Sequence, residues 1–482
     1  MRNYYDLIII GMGPSSIFCA YELLEQNSKK KILLVEKGHR IEDRKCPINI
    51  KNKCQKCKPV CNIIGGFSGA GAFSDGKLLS YHLTTYNNID NENIYIGGKD
   101  NSYIKEYYTK DQIKKFMEYT DNVYLKLGAN KTLSGIDNLK EIKKLQMKAI
   151  KNNIELIDVP VRHLGTEKSR ELYAKLQEYL DNKIDLMFNT EVIDLIVEDN
   201  KVKGIKTLKG DINAKKVILA VGINGSTWLE KLAKKYNIQK RNGYMDIGIR
   251  YELKDETMKK INKLMYEGKF IGKIKPYYDK VRTYCQNPSG YVTPETYDNG
   301  CTLVNGHAYK DKKSKNTNLA ILVSYKFDEP FDSPIEYGFT IAKKANLLTG
   351  GYPIIQRLGD LLNFKSTCKY DLLNNSVKPT MPSACAGDLS YVLDYRTIVN
   401  IINFIKRVDK VVPGFKDDDN LLYGPEIKFY GNELVLNKNF ETSIKNLYSI
   451  GTGGGLTIGL MLASMSGVMM ARILEKGDMY EK

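Results

Sequence analysis

The stretch from Tyr4 to Glu36 constrains the chain more than any other. Asp6-Leu7-Ile8-Ile9-Ile10 has the look of a short buried strand, and Gly11-Met12-Gly13-Pro14-Ser15-Ser16 follows at once as a tight turn. Ile17, Ala20, Tyr21 and Leu24 then recur at helical spacing, and Lys31 to Val35 reads as a second strand ending on Glu36. Strand, glycine turn, helix and strand in this order predict a unit that holds the ADP half of a dinucleotide. Gly11 permits the sharp turn, and Gly13 lets backbone approach the pyrophosphate. The helix start offers unpaired N–H groups and the positive end of its dipole. Glu36 lies 20 residues past Ser16, where a carboxylate can accept ribose hydroxyls. Ser16 takes the place of the third glycine and is small enough for helix–strand contact. Pro14 and Lys37, beside the turn and the acid, count with them as cofactor contacts. A carboxylate at Glu36 favours FAD or NAD over NADP, because it repels a 2′-phosphate.

A chain of 482 residues suggests roughly two to three domains. Its net charge of +17 comes from basic residues scattered along the sequence, so it speaks to solubility and association rather than to fold. No secretory signal is visible, since only four residues of Leu and Ile separate Asp6 from Gly11. The 19 uncharged residues from Gly453 to Ala471 are long enough to suggest a membrane span. Small residues at Gly459, Ala463, Ser466, Gly467 and Ala471 argue instead for a close-packed interior helix. The expectation is a cytoplasmic protein with no membrane partner.

After Glu36 the chain runs through Cys46, Cys54, Cys57 and Cys61, spaced C-x7-C-x2-C-x3-C. Gly65 to Gly76 then holds five glycines in twelve residues, a loop that can press bare backbone against a flat or anionic ligand. Residues 79–150 are polar and mostly helical in pattern. Val159 to Val161 reads as a strand, and Thr166 is placed to cap the helix of Leu172, Leu176 and Leu180. Short runs at Asp185 to Phe188, Glu191 to Val197, Lys203 to Leu208 and Asp211 to Ile212 read as a β meander. It closes on the buried run Val217 to Val221 and Gly222. From residue 241 the runs turn richer in Tyr and Thr: Asp246 to Glu252, Val281 to Cys285, Gly290 to Val292, Thr302 to Val304 and Asn318 to Phe327. These predict a second, mostly antiparallel sheet, with helices at about 335–347, 352–363 and 393–407. A last apolar strand, Leu447 to Ile450, leads into Gly451-Thr452-Gly453-Gly454-Gly455 and the long helix.

The fold class expected is α/β: a Rossmann-type dinucleotide-binding domain with a parallel sheet and a β meander, interrupted by an α+β substrate domain with a mostly antiparallel sheet. The expected boundaries are 1–240 for the first part of the dinucleotide-binding domain, with a cysteine-rich insert at 40–62 and a helical insert at 80–150. The substrate domain follows at 241–395, and the dinucleotide-binding domain, which the resemblance below makes an FAD domain, resumes at 396–482.

This order of elements resembles the glutathione-reductase-like FAD superfamily. The motifs GGFSGAGAFSDGKL, HLGTE, DIGIRYE, VRTYCQNPSGYV and VNGH more narrowly resemble a family of bacterial FAD-dependent dehydrogenases of largely unassigned activity. The resemblance implies that Val192 meets adenine through backbone and that Gly222 passes near the ADP moiety. It implies that Gly451, Gly454, Gly455 and Ile458 run beside the ribityl chain and the pyrimidine edge of the flavin. It also sets Gly69, Gly71, Asp75 and Lys77 beside pyrophosphate and flavin. The superfamily has Gly-Asp where this chain has Gly451-Thr452, so one charged contact to the ribityl chain is replaced by a hydroxyl.

The reaction expected is hydride or electron exchange between flavin N5 and a small organic substrate. No second glycine fingerprint follows a strand, so electrons would come or go through the substrate site, an external carrier or NAD(P)H, or a metal centre. In the second domain Arg250 and Arg282 could clamp a carboxylate, and Tyr284 or His307 could exchange a proton. The thiols Cys46, Cys54, Cys57 and Cys61 leave three readings open: an iron–sulfur cluster or zinc, redox-active thiols, or plain cysteines. Two other functions fit parts of the sequence. A flavin-dependent RNA-modifying enzyme would use the basic charge, although no basic tail or aromatic platform is apparent. A redox sensor or electron carrier would use the cysteines.

Overall fold

The computed structural model describes residues 4–47, 55, 57–73, 76–79, 102–158, 160–297, 299–309, 312–328, 330–430 and 433–477. Asp75, Cys54, Val159 and most of the first third of the helical insert fall outside them. The fold is mixed α/β, with one mainly parallel and one mainly antiparallel sheet.

The first sheet grows from the opening strand, Tyr4–Ile10. Its Leu and Ile residues are buried on both faces, as a central parallel strand requires. Ile32–Val35 pairs with it in parallel on one side, and Asp185–Met187 adds beyond that. Gly210–Leu219 pairs with it in parallel on the other side, and Leu447–Ser449 adds to that strand in turn. The run Asp185 to Phe188, expected in the meander, is therefore an edge of the parallel sheet. The meander itself is Val192–Glu198, Lys201–Thr207 and the first half of Gly210–Leu219. What reads as two runs, Asp211 to Ile212 and Val217 to Val221, is one ten-residue strand that ends at Leu219. Its start belongs to the meander and its end to the parallel sheet.

Two helices lie against one another beside this sheet, Pro14–Glu25 and the closing helix Leu460–Lys476. A Cβ on Gly467 would stand 2.1 Å from the carbonyl oxygen of Ser15, so glycine there is what lets the two backbones touch. The small-residue stripe is thus a helix contact inside the protein, and 13 of the 17 residues of the closing helix are buried. No helix among the described residues is long and apolar enough to cross a membrane. Thr166 opens the helix Thr166–Asp181 as its first residue. Gly165 precedes it, and no side chain caps that end, so the expected threonine cap is absent.

The second sheet has eight strands. Met245–Lys254 is central, flanked antiparallel by Asn316–Tyr325 and Leu421–Phe429. Asp279–Asn287 and Gly268–Ile274 extend it one way, and Ile354–Arg357 the other. Residues 352–363, expected as a helix, are this strand followed by the short helix Leu358–Leu362. The sheet also takes Glu155–Asp158 from before residue 241 and Leu421–Phe429 from after 395, so the antiparallel unit overruns both expected boundaries. Alternation along the strands sorts its faces. Ile247, Ile249, Tyr251, Leu319, Ile321, Val323, Ile427 and Phe429 form a core under helices that include Tyr395–Asp409 and Pro334–Thr349. Asp246, Arg250, Arg282 and Glu426 lie on the other face and are also buried.

Candidate functional site

The opening strand has its parallel neighbours on opposite sides, reached through chain that runs in opposite directions. A crevice therefore forms beyond its carboxyl end, where open α/β sheets take ligands. A cavity of about 380 Å³ lies there, and Gly11, Gly13, Glu36, Val192, Gly222 and Thr452 are among its walls. Gly11 has φ +95°, and a Cβ on it would stand 2.5 Å from the carbonyl oxygen of Ala220, so only glycine makes this turn. Gly13 is different. Its φ of −78° suits any residue, and no atom lies within 4 Å of where its Cβ would be. The same open space faces Gly222 and Gly459, which also line the cavity. Three bare backbone faces around one cavity make a cradle for a ligand that lies flat against main chain. Gly13 precedes the helix Pro14–Glu25 and no side chain caps that helix, so its first-turn N–H groups and positive dipole end suit an anion.

Glu36, 8% exposed, accepts hydrogen bonds from the amides of Met12 at 2.9 Å, Gly38 at 2.9 Å and Gly66 at 3.0 Å. A carboxylate has about four lone-pair sites, so one remains on Oε2 for a sugar hydroxyl. The acid thereby ties together the glycine turn, its own strand end and the glycine-rich loop. That loop is held from below by Arg44, which is fully buried. Its Nε donates to the Asn62 carbonyl at 3.0 Å, and Nη2 donates to Ile63 and Gly69 at 2.8 and 2.7 Å. Nη1 donates to the Phe67 carbonyl and, at 3.1 Å, to the Ser68 hydroxyl. All five guanidinium N–H groups are matched by loop acceptors. Burial draws the Arg44 guanidinium down to about 10, with the nearby Glu36 carboxylate opposing the shift.

Of the expected cofactor contacts, Gly11, Gly13, Pro14, Glu36, Lys37, Gly69, Gly71, Val192 and Gly222 line the cavity. Ser16 is buried in the helix behind it. From the carboxy-terminal loop Thr452 and Gly459 reach the cavity, whereas Gly451, Gly454 and Gly455 pack against Ser15, Ser449 and Glu433. Ile458 is buried without lining it. Lys77 points to the second sheet, donating to the Gln286 carbonyl at 2.6 Å and lying 3.5 Å from Glu267. Trp228, Asn224 and Thr190 are wall residues that carry no sequence signal.

Arg250, Arg282 and Tyr284 share the buried charged face of the second sheet. Arg250 makes a paired contact with Glu426 at 2.8 and 2.7 Å, and Arg282 reaches Asp246 at 2.5 Å. Each arginine thus meets a carboxylate of the protein itself. Lys428 also lies 3.0 Å from Glu426. Arg250 donates further to Asn305 Oδ1 at 3.0 Å, and Asn305 donates to Glu295 at 3.0 Å. Glu295 lines the cavity, so this chain of polar groups joins the charged face to the crevice beyond the opening strand. His307 ends the strand Thr302–His307 against Tyr309, with ring centres 4.4 Å apart. Cys46, Cys57 and Cys61 are half-buried. Among the described residues no three His, Cys, Asp or Glu side chains gather as a metal site requires. Cys54 lies outside those residues, and the iron–sulfur or zinc centre gains no support.

Residues 247–428 match the family described as FAD-dependent protein, C-terminal domain-like. The chain is 23% identical over 502 aligned positions to an uncharacterized protein of Clostridium beijerinckii, covering 98% of this chain and 81% of that one. A D-amino acid dehydrogenase of Helicobacter pylori is 29% identical over 167 residues, 34% of this chain and 37% of that protein. Among solved structures, an L-proline dehydrogenase from P. horikoshii aligns over 99% of this chain and 95% of that one, at 12% identity and a TM-score of 0.40.

Proposed function

We propose that this chain is an FAD-dependent oxidoreductase that lays FAD along the crevice of its first sheet and presents a small organic substrate from the charged face of its second. The observation that carries this reading is the set of open glycine faces at Gly13, Gly222 and Gly459 around one cavity, whose rim includes Glu295 of the two-stranded hairpin Tyr291–Thr296 and Thr302–His307. When bound, FAD supplies a two-electron acceptor or donor for a hydride. The chain's own groups bind and orient. The uncapped start of Pro14–Glu25 holds the diphosphate, and the last free site on Glu36 takes a ribose hydroxyl. Gly459 and the start of the closing helix present N–H groups and a positive dipole end to the far end of the cavity. Arg250 and Arg282 act as positioning residues, because their guanidinium groups are held by Glu426 and Asp246. Electrons taken from the substrate leave to an external acceptor.

Replacing Gly13 with Val tests the crevice. Neither backbone strain nor a neighbouring atom opposes the new side chain, so the apoprotein should keep its stability within ~0.5 kcal/mol in denaturant unfolding. The side chain fills the cradle, so flavin uptake should be lost. The wild-type protein, reconstituted with FAD, should be yellow and bleach with dithionite. Absence of flavin uptake by the wild type, or wild-type affinity in Gly13→Val, overturns the assignment.

A further inference from the structure

The charged face holds a cation whose bonding is incomplete. Lys269 lies in the strand Gly268–Ile274 and its side chain is only 4% exposed. The nearest carboxylate oxygen, on Glu267, is 3.7 Å from its Nζ, beyond hydrogen-bond reach. Glu267 also serves Lys77, which approaches its other oxygen to 3.5 Å. Likewise Glu426 serves both Arg250 and Lys428. Four cations therefore share two carboxylates in a region where an uncompensated charge is costly.

Tyr284 stands beside Lys269. The ammonium is 5.6 Å from its ring centre, and the Arg282 guanidinium is 5.1 Å from the same ring. Among the described residues neither the Tyr284 hydroxyl nor Lys269 Nζ has a hydrogen bond, and Tyr284 is only half-buried. Two donor groups, one of them charged, thus lie on neighbouring strands of one face, and Lys269 meets Glu267 only at ion-pair distance. Burial pulls the Lys269 ammonium below its ordinary value, Glu267 opposes the shift, and Arg282 and Lys77 add to it.

We propose that Lys269 and Tyr284 form the seat for a carboxylate of the substrate. One ammonium and one hydroxyl match a two-oxygen acceptor of single charge. Arg282, paired with Asp246, stacks its guanidinium over the Tyr284 ring and so holds the seat in place. The assignment rests on the reading of this face as the substrate site.

The test is calorimetric titration of the FAD-loaded protein at constant ionic strength with acetate, benzoate and succinate. Benzamide serves as the neutral counterpart and inorganic phosphate as the rival anion. At least one carboxylate should bind, with its Kd raised ten-fold or more in Lys269→Met and a few-fold in Tyr284→Phe. Lys269→Arg keeps the charge and should recover most of the binding. Carboxylates that bind neither the wild type nor Lys269→Arg, an unchanged Kd in Lys269→Met, or benzamide or phosphate binding as tightly as the best carboxylate would each overturn the seat. The flavin spectrum of each variant separates the two readings. A protein that takes up FAD but ignores carboxylates loses the seat alone, and one that takes up no FAD loses the function.

Discussion

Arg44 shows how much one side chain can organise. It lies amid the basic segment after Glu36, yet it is wholly buried and spends every donor on the loop from Asn62 to Gly69. Arg44→Met leaves those acceptors without partners, so it should cost about 3 kcal/mol or more in denaturant unfolding and weaken FAD retention. Arg44→Lys has the charge but not the five-donor fork, and should recover only part of the loss. Nothing in the sequence separates Arg44 from the exposed lysines around it, because burial is a property of the folded loop. Glu252 is a second buried group with a measurable signature. Burial raises its pKa above the ordinary 4.5, against hydrogen bonds from Thr380, Tyr423 and Asn316. A raised acid adds stability below its unfolded pKa and loses that stability as pH rises through the folded value. The thermal midpoint of Glu252→Gln should therefore gain on the wild type as pH climbs from about 4.5, and a gap that stays constant or shrinks would refute this.

The glycine turn and its helix follow from local chemistry, and the structure has them where periodicity puts them. The strand Leu421–Phe429 does not announce itself. Its Gly424-Pro425 pair reads as a break, since proline cannot donate to a sheet ladder. The structure absorbs the pair in a bulge: the register with Met245–Lys254 shifts between Gly248 and Arg250, so Gly424 and Pro425 oppose Ile249 alone. That strand brings Glu426 and Lys428, which is why the partner of Arg250 is invisible in the sequence. The strand Ile354–Arg357 is lost for another reason. A four-residue apolar run beside helix formers has no decisive period, and pairing with Leu421–Phe429 settles it. The contact between the opening and closing helices belongs to this scale too. Gly467→Val forces a side chain against Ser15 and should lower stability by about 1–3 kcal/mol in thermal or denaturant unfolding. It should also loosen the flavin, because both helix starts line the cavity.

Across the molecule, the two sheets are joined by a few specific links. Glu155–Asp158, from the first half of the chain, is the last strand of the second sheet. Lys77 leaves the end of the glycine loop and binds the Gln286 carbonyl and Glu267 beneath the charged face. Glu295 reaches the cavity of the first sheet from the hairpin Tyr291–Thr296 and Thr302–His307. Lys77→Met should therefore destabilise the protein by about 2 kcal/mol and weaken substrate binding more than FAD binding. Equal losses of the two affinities, measured by calorimetry on the same preparation, would count against Lys77 as a link to the substrate face.

The amino-acid order alone settled the nucleotide unit, because its parts lie within about thirty residues and each obeys a rule of local geometry: a turn that admits only glycine, a helix period, an acid at fixed spacing. It also settled that the uncharged carboxy-terminal stretch is an interior helix, since small residues at helical spacing imply a packing face. The charged face was decided only by the tertiary structure. Lys77, Arg250, Lys269, Tyr284 and Glu426 come from separate strands, and their pairing energies exist only once long-range sheet registry has brought them together and excluded water.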